Sequence, residues 1–165
     1  MALKQTGVDL DQCSGAELSQ SIQDLQADRS KLYKAWDQSL RAYCRSRRRC
    51  ETTSNPTNHA DQAQCLADYY HLTTDLIGAF AAASVEVKRH ATAYEKRNSM
   101  EATHLVRALQ LLEKEKLQLT VRRHGVLREG VVEDDTSERL CELVEELRDV
   151  VGELRCLMVE AEVEP

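Results

Sequence analysis

Apolar side chains recur every three or four positions through most of this chain, the period of a helix with one face to bury. The first such stretch carries Leu18, Ile22, Leu25, Leu32, Trp36, Leu40 and Tyr43, with Arg29 standing where a hydrophobic residue belongs. Ser14 followed by Glu17 has the spacing of a capping box, so this helix is expected over 16–50 and the preceding 1–15 as a flexible arm. Thr52 to Asn58, with Pro56 inside, break the pattern. The second stretch is the most regular: Leu66, Tyr69, Thr73, Leu76, Phe80, Ala83, Val87, His90 and Tyr94, a coiled-coil-like seam expected over 58–97. Its middle (Gly78, Ala79, Ala81, Ala82, Ala83, Ser84) is slim on every side, and Gly78 costs a helix about 1 kcal/mol, which calls for a packing reason.

Asn98 and Ser99 interrupt the pattern, as a turn or as a bend in one continuous helix, and Asn98 with Glu101 has the spacing of another cap. A third helix over 99–124 carries Leu105, Leu109, Leu112 and Leu119, flanked by Leu117 and Val121, and is expected to stop at Gly125. A loop containing Gly130 and Glu133-Asp134-Asp135 leads to a fourth helix over 136–161, capped by Asp135 with Glu138. Its stripe is Leu140, Val144, Leu147, Val151, Leu154, Met158 and Ala161, and 162–165 is left as a tail. Four such stripes satisfy one another in an all-α antiparallel bundle of long helices. The alternative is a pair of extended helical hairpins that pack only with other chains. Because the first two helices outrun the other two, part of an apolar stripe should remain for a partner.

Composition agrees with long helices: 30% charged, 4% aromatic, six glycines and two prolines. The formal charge of −6 conceals an asymmetry, since residues 133–165 hold twelve acids against three bases. No apolar run approaches the roughly 20 residues that span a bilayer, and no leader follows the N-terminus. A soluble intracellular protein is therefore expected, with its six cysteines reduced and packed as small hydrophobes.

Chemistry is sparse. Cys44, Cys50, His59 and Cys65 bracket the first turn, but the close cysteine pairs typical of structural zinc are missing. The five histidines (59, 71, 90, 104, 124) are scattered; His90 lies on the apolar stripe, where a hydrogen-bonded core histidine is the usual explanation. Glycine-rich phosphate loops are absent. A di-iron bundle needs two Glu-x-x-His motifs, and Glu101–His104 is a single copy. No catalytic, cofactor-binding or metal residue is assigned, and a non-enzymatic protein is expected.

The strongest local signal is the arginine run that closes the first helix: Arg41, Arg45, Arg47, Arg48 and Arg49 within ten residues. It reads either as a solvated cap that faces the chain's own acidic fourth helix or as an anchor for phosphate or an acidic protein surface. A second basic cluster, Arg122, Arg123, His124 and Arg128, joins it only if the helices bring both to one end.

The run Leu109-Gln110-Leu111-Leu112-Glu113-Lys114-Glu115-Lys116-Leu117-Gln118-Leu119-Thr120 resembles the signature of the small "required for excision" B-type family. Arg29, Leu32-Tyr33, Trp36-Asp37 and Leu40-Arg41-Ala42-Tyr43 are similar to that family's opening helix, and the likeness spans about residues 16–160. The stretch 44–50 and the acidic 133–135 loop are not among the features matched to it. The resemblance implies a role in nucleotide excision repair and carries over no catalytic residue. The leading expectation is a helical adaptor or scaffold subunit in a larger complex or oligomer. It would meet protein partners through its seams (Leu66, Tyr69, Leu76, Phe80, Val87, Leu140, Leu147, Val151 and Leu154) and use Arg45–Arg49 for a charged contact. The rival is a structural coiled-coil component of a ciliary or cytoskeletal assembly docked on acidic tubulin. The third reading is direct DNA binding. Nucleus and cytoplasm or cilium are both compatible with the sequence.

Overall fold

The computed structural model describes residues 9–52, 56–130 and 136–163, and the regular structure among them is helix alone: α1 (Gly15–Thr52), α2 (Pro56–Lys96), α3 (Met100–Glu129) and α4 (Thr136–Val163). Of the expected breakers from Thr52 to Asn58, Thr52 still belongs to α1 and α2 already begins at Pro56, where a proline suits a first helical turn. Residues 53–55, the 133–135 loop with its Asp135 cap, residues 1–8 and the side chains of Met158 and Ala161 lie outside the described residues. Each helix packs antiparallel to the next, and α4 closes back on α1, so the expected four-helix bundle forms.

Helix ends follow local chemistry. The Ser14 amide donates to Glu17 Oε2 (2.7 Å) and the Glu17 amide to Ser14 Oγ (3.2 Å), the reciprocal capping box. Between α2 and α3 the chain turns rather than bending: Asn98 takes a left-handed φ of 56°. The Ser99 amide then reaches Tyr94 O and the Asn98 amide Glu95 O, a Schellman closure. The cap of α3 is Ser99, not Asn98, and it makes no side-chain cap bond. The helix also runs through Gly125 to Glu129. It stops at Gly130, whose φ of 83° supplies the left-handed cap. Arg97 ties residues 9–14 to the top of the bundle, donating to the carbonyls of Leu10, Asp11 and Cys13.

The core has two halves. At the top, Leu18 and Ile22 of α1, Val87 and Tyr94 of α2, Val106 and Leu109 of α3, and Leu147 and Leu154 of α4 form an aliphatic four-helix core. At the bottom, Leu32, Tyr33, Trp36, Leu40, Tyr43, Tyr69, Leu76 and Phe80 form an aromatic core between α1 and α2, with Leu117 and Leu127 of α3 against it. The pairing of Arg139 with Glu115 (2.8 Å) sets the start of α4 level with the middle of α3, so the last turns of α3 pack on α1 and α2 alone.

The first two stripes are buried as expected, and Tyr69, Leu76, Phe80, Val87, Leu147 and Leu154 are consumed by the chain's own core. Leu66, Leu140 and Val151 are partly buried. In α3 the buried face is displaced by one position: Ala102, Val106, Leu109, Glu113, Thr120 and His124 point inward, Leu105 and Leu112 lie at its edge. In α4 Leu143 takes the inward place expected of Val144, which is exposed. No helix among the described residues is long and apolar enough to cross a membrane.

Candidate functional site

Because α1 and α3 run the same way, their C-terminal ends lie side by side, and the two basic clusters meet at the bottom of the bundle. Arg47 makes the junction. Its Nη1 donates to the Arg128 carbonyl, and its Nε lies 3.3 Å from Glu51 Oε1 as an ion pair. A guanidinium at the C-terminal carbonyls of α3 also complements the helix dipole. Arg47 is thus half-buried and committed to structure, whereas Arg41, Arg45, Arg48 and Arg49 are exposed. Arg45 and Arg49, with Asp61 and Gln64, line a cleft of about 350 Å³ between α1 and α2. Thiols and His59 nearby do not converge: Cys44 Sγ donates to Leu127 O (3.7 Å) and Cys50 Sγ to Asn58 O (2.9 Å). Among the described residues no cluster of metal-ligating side chains forms.

A polar relay fixes the floor of this basic end. His124, 1% exposed, places Nε2 2.8 Å from Asp37 Oδ1 and Nδ1 3.3 Å from the Tyr69 hydroxyl. Its ring meets Trp36 edge-on at 4.6 Å, and Trp36 Nε1 donates to Thr73 Oγ1 (2.9 Å). The hydrogen bond from His124 holds the Asp37 carboxyl below its ordinary range despite partial burial, and the charges of Arg123 and Arg41 add to that effect. Burial pushes the Tyr69 phenol up. Asp37 therefore draws a cation from each basic cluster, with Arg123 Nη1 at 3.9 Å. An Asp–His–Tyr line resembles a proton relay, but its phenol end is sealed inside the helices. Its physical effect is to lock α3 onto α1 and α2. Beside it, Arg128 Nη1 donates to the hydroxyl of Tyr70 (2.9 Å), whose ring faces outward.

A second buried polar group lies at the waist between the two cores. Arg29, 2% exposed, donates from Nη2 to Ser84 Oγ (3.4 Å). In the orientation that satisfies both neighbours, the Gln26 amide donates to Glu113 Oε1 (2.6 Å) and accepts from Arg29 Nη1 (3.2 Å). Tyr33 donates to Glu113 Oε2 (3.5 Å), and Lys116 Nζ stands 4.3 Å from the Tyr33 ring centre. Burial pulls the Arg29 pKa down and Glu113 opposes it; burial, then Glu113, pushes Tyr33 up. Arg29 on the apolar stripe was the signal for this group; nothing in the spacing identified Glu113 as its partner. His90 is the expected core histidine, with Nδ1 2.8 Å from the Glu86 carbonyl.

A model of the DNA repair REX1-B family matches residues 17–126. That span takes in α1, α2 and most of α3, including the waist, the relay and the arginine run, and stops short of α4, so the likeness is shorter than the 16–160 expected. No curated protein and no solved structure matches the chain. With two thirds of its length matched, the chain belongs to the DNA repair REX1-B family.

Proposed function

We propose that this protein is a non-enzymatic helical adaptor of nucleotide excision repair, and that the bottom of its bundle is the surface it lays on nucleic-acid phosphate. The observation that carries this reading is the union of the α1 and α3 arginines at one end, with Arg41, Arg45 and Arg48 exposed there. Guanidinium groups match phosphate oxygens in pairs. The relay through His124 and Asp37 gives the patch a rigid base, so fewer side chains must be ordered on binding. Charge is polarised along the molecule as well. Helix α4, with eight acids against three bases, packs beside the upper half, which orients an approaching polyanion toward the lower end. In this reading the protein acts in the nucleus.

Fluorescence anisotropy with a labelled DNA duplex tests it. Binding should weaken with salt, and each lost contact should lower the log–log slope by about 0.9. Replacing Arg41, Arg45 and Arg48 together by Ala should therefore flatten the slope by about 2.7. An unchanged slope in that variant removes the reading. Binding to microtubules in preference to DNA at the same salt replaces it with the cytoskeletal one.

A further inference from the structure

Among the described residues one face of α2 is left exposed by the other helices, and only at its upper end does another segment come near, where Asp9, Leu10 and Asp11 line a cleft with Val85, Lys88 and Thr92; yet it is not a polar face. Tyr70, Ile77 and Val85 are 48%, 57% and 55% exposed along it, and Ala67 before them and Thr74, Gly78 and Ala81 between them are exposed as well. The polar side chains in the middle of this face are already satisfied within the chain. Thr74 Oγ1 donates to the Tyr70 carbonyl (3.0 Å), and the Tyr70 hydroxyl accepts from Arg128. Apolar surface is what remains. Gly78 adds a second observation: a Cβ built there meets nothing within 4 Å. Gly125 and Gly152 are equally open; what sets Gly78 apart is that it opens a notch beside the exposed Ile77.

We propose that this face pairs with the same face of a second copy, the two α2 helices running antiparallel. The pattern is self-complementary about the point between Ile77 and Gly78. Turned over on itself, the stripe sets Tyr70 against Val85, Thr74 against Ala81, and Ile77 against Gly78. Each Ile77 would then fill the notch at the other copy's Gly78, as knobs fill holes between close helices. Charge selects the antiparallel direction. The first half of α2 carries Asp61, Asp68 and Asp75; in the second half Glu86 is paired with Arg89 (2.9 Å) and Lys96 with Asp11 (2.5 Å), and Lys88 stands on the stripe itself, at the rim of a cleft it shares with Asp9 and Asp11. The antiparallel register places Lys88 opposite Ala67 and next to Asp68 of the second copy, whereas a parallel pair would set acid on acid. A stripe from Ala63 to Thr92 is about 45 Å long and about 10 Å wide. Pairing it buries on the order of 900 Å² in total, close to the roughly 1,000 Å² floor for specific interfaces. The dimer is accordingly weak and concentration-dependent. This inference does not depend on the nucleic-acid reading, and it would place the two basic ends at opposite extremes of the dimer.

Sedimentation velocity of the full chain, kept reduced because Cys141 and Cys156 are exposed, should show mass rising from one copy toward two with concentration. Ile77→Glu and Val85→Glu should each weaken the association at least about tenfold, while their circular-dichroism melts stay at the parent temperature, since neither side chain is in the core. Asp68→Lys should weaken it too, and adding Lys88→Asp should restore it. A chain that stays single at the highest soluble concentration overturns the proposal. So does a dimer indifferent to both glutamates, or a double reversal that fails to restore pairing. DNA binding by Ile77→Glu, measured at concentrations where the parent is a single copy, should equal the parent's, so this test and that of the basic end fail separately.

Discussion

At the scale of single residues, the waist decides how the two cores are held in register. Arg29 and Glu113 are 2% and 5% exposed and joined through the Gln26 amide, and removing one of two opposite buried charges strands the other in a medium that solvates it poorly. Arg29→Met should therefore cost about 3 kcal/mol, and Glu113→Leu a similar amount. Made together, the two should return stability to within about 1 kcal/mol of the parent, because apolar groups of like volume replace such pairs well. Urea denaturation of the four chains gives the coupling directly. If the two losses simply add, Gln26 and Ser84 are solvating the charges independently and the pair is not a unit. The waist is where sequence reading stopped short. An arginine on an apolar stripe announces a buried cation, but its counter-charge lies on another helix, and no periodicity links them.

Among the elements, the two glycines of α3 separate helix propensity from helix termination. Gly125 is inside the helix with nothing near its missing Cβ, whereas at Gly130 a Cβ would come 2.6 Å from Arg47 Nη2. Gly125→Ala should raise stability by about 1 kcal/mol, through propensity alone. Gly130→Ala should lower it by about 1–2 kcal/mol, since the left-handed backbone disfavours a side chain and Arg47 must leave the α3 terminus. Thermal melts of the two variants should shift in opposite directions; a shift of the same sign would mean that α3 ends elsewhere in solution. The same helix shows what the pattern could and could not convey. The seams of α1 and α2 were legible because their inward positions are apolar. In α3 Glu113, Thr120 and His124 point inward, so counting leucines rotated the face by one position. In α4, where both are apolar neighbours, the pattern alone could not choose Leu143 over Val144.

For the whole molecule, the meeting of the two arginine clusters is a consequence of topology, invisible until the direction of every helix is known. The reach of α4 is a second such consequence. It starts level with Glu115 and covers only the upper core. The family match, which stops at residue 126, coincides with what α1, α2 and α3 build by themselves. Leu143, Leu147 and Leu154 are nonetheless buried under α4, each contributing about 1.5–3 kcal/mol. Their sum is of the same order as the 5–15 kcal/mol that holds a typical domain together. A chain ended at Gly130 should lose much of its stability, and lose it unevenly. Trp36, the single tryptophan, lies in the lower core that α4 does not touch, so its fluorescence reports that half alone, while far-UV circular dichroism reports both. In the full chain the two signals should fall together with urea. In the shortened chain ellipticity should decline first and Trp36 later, with salt-dependent DNA binding kept while Trp36 remains buried. Coincident transitions at the parent midpoint would mean that α4 adds nothing to the core and that the upper half stands without it.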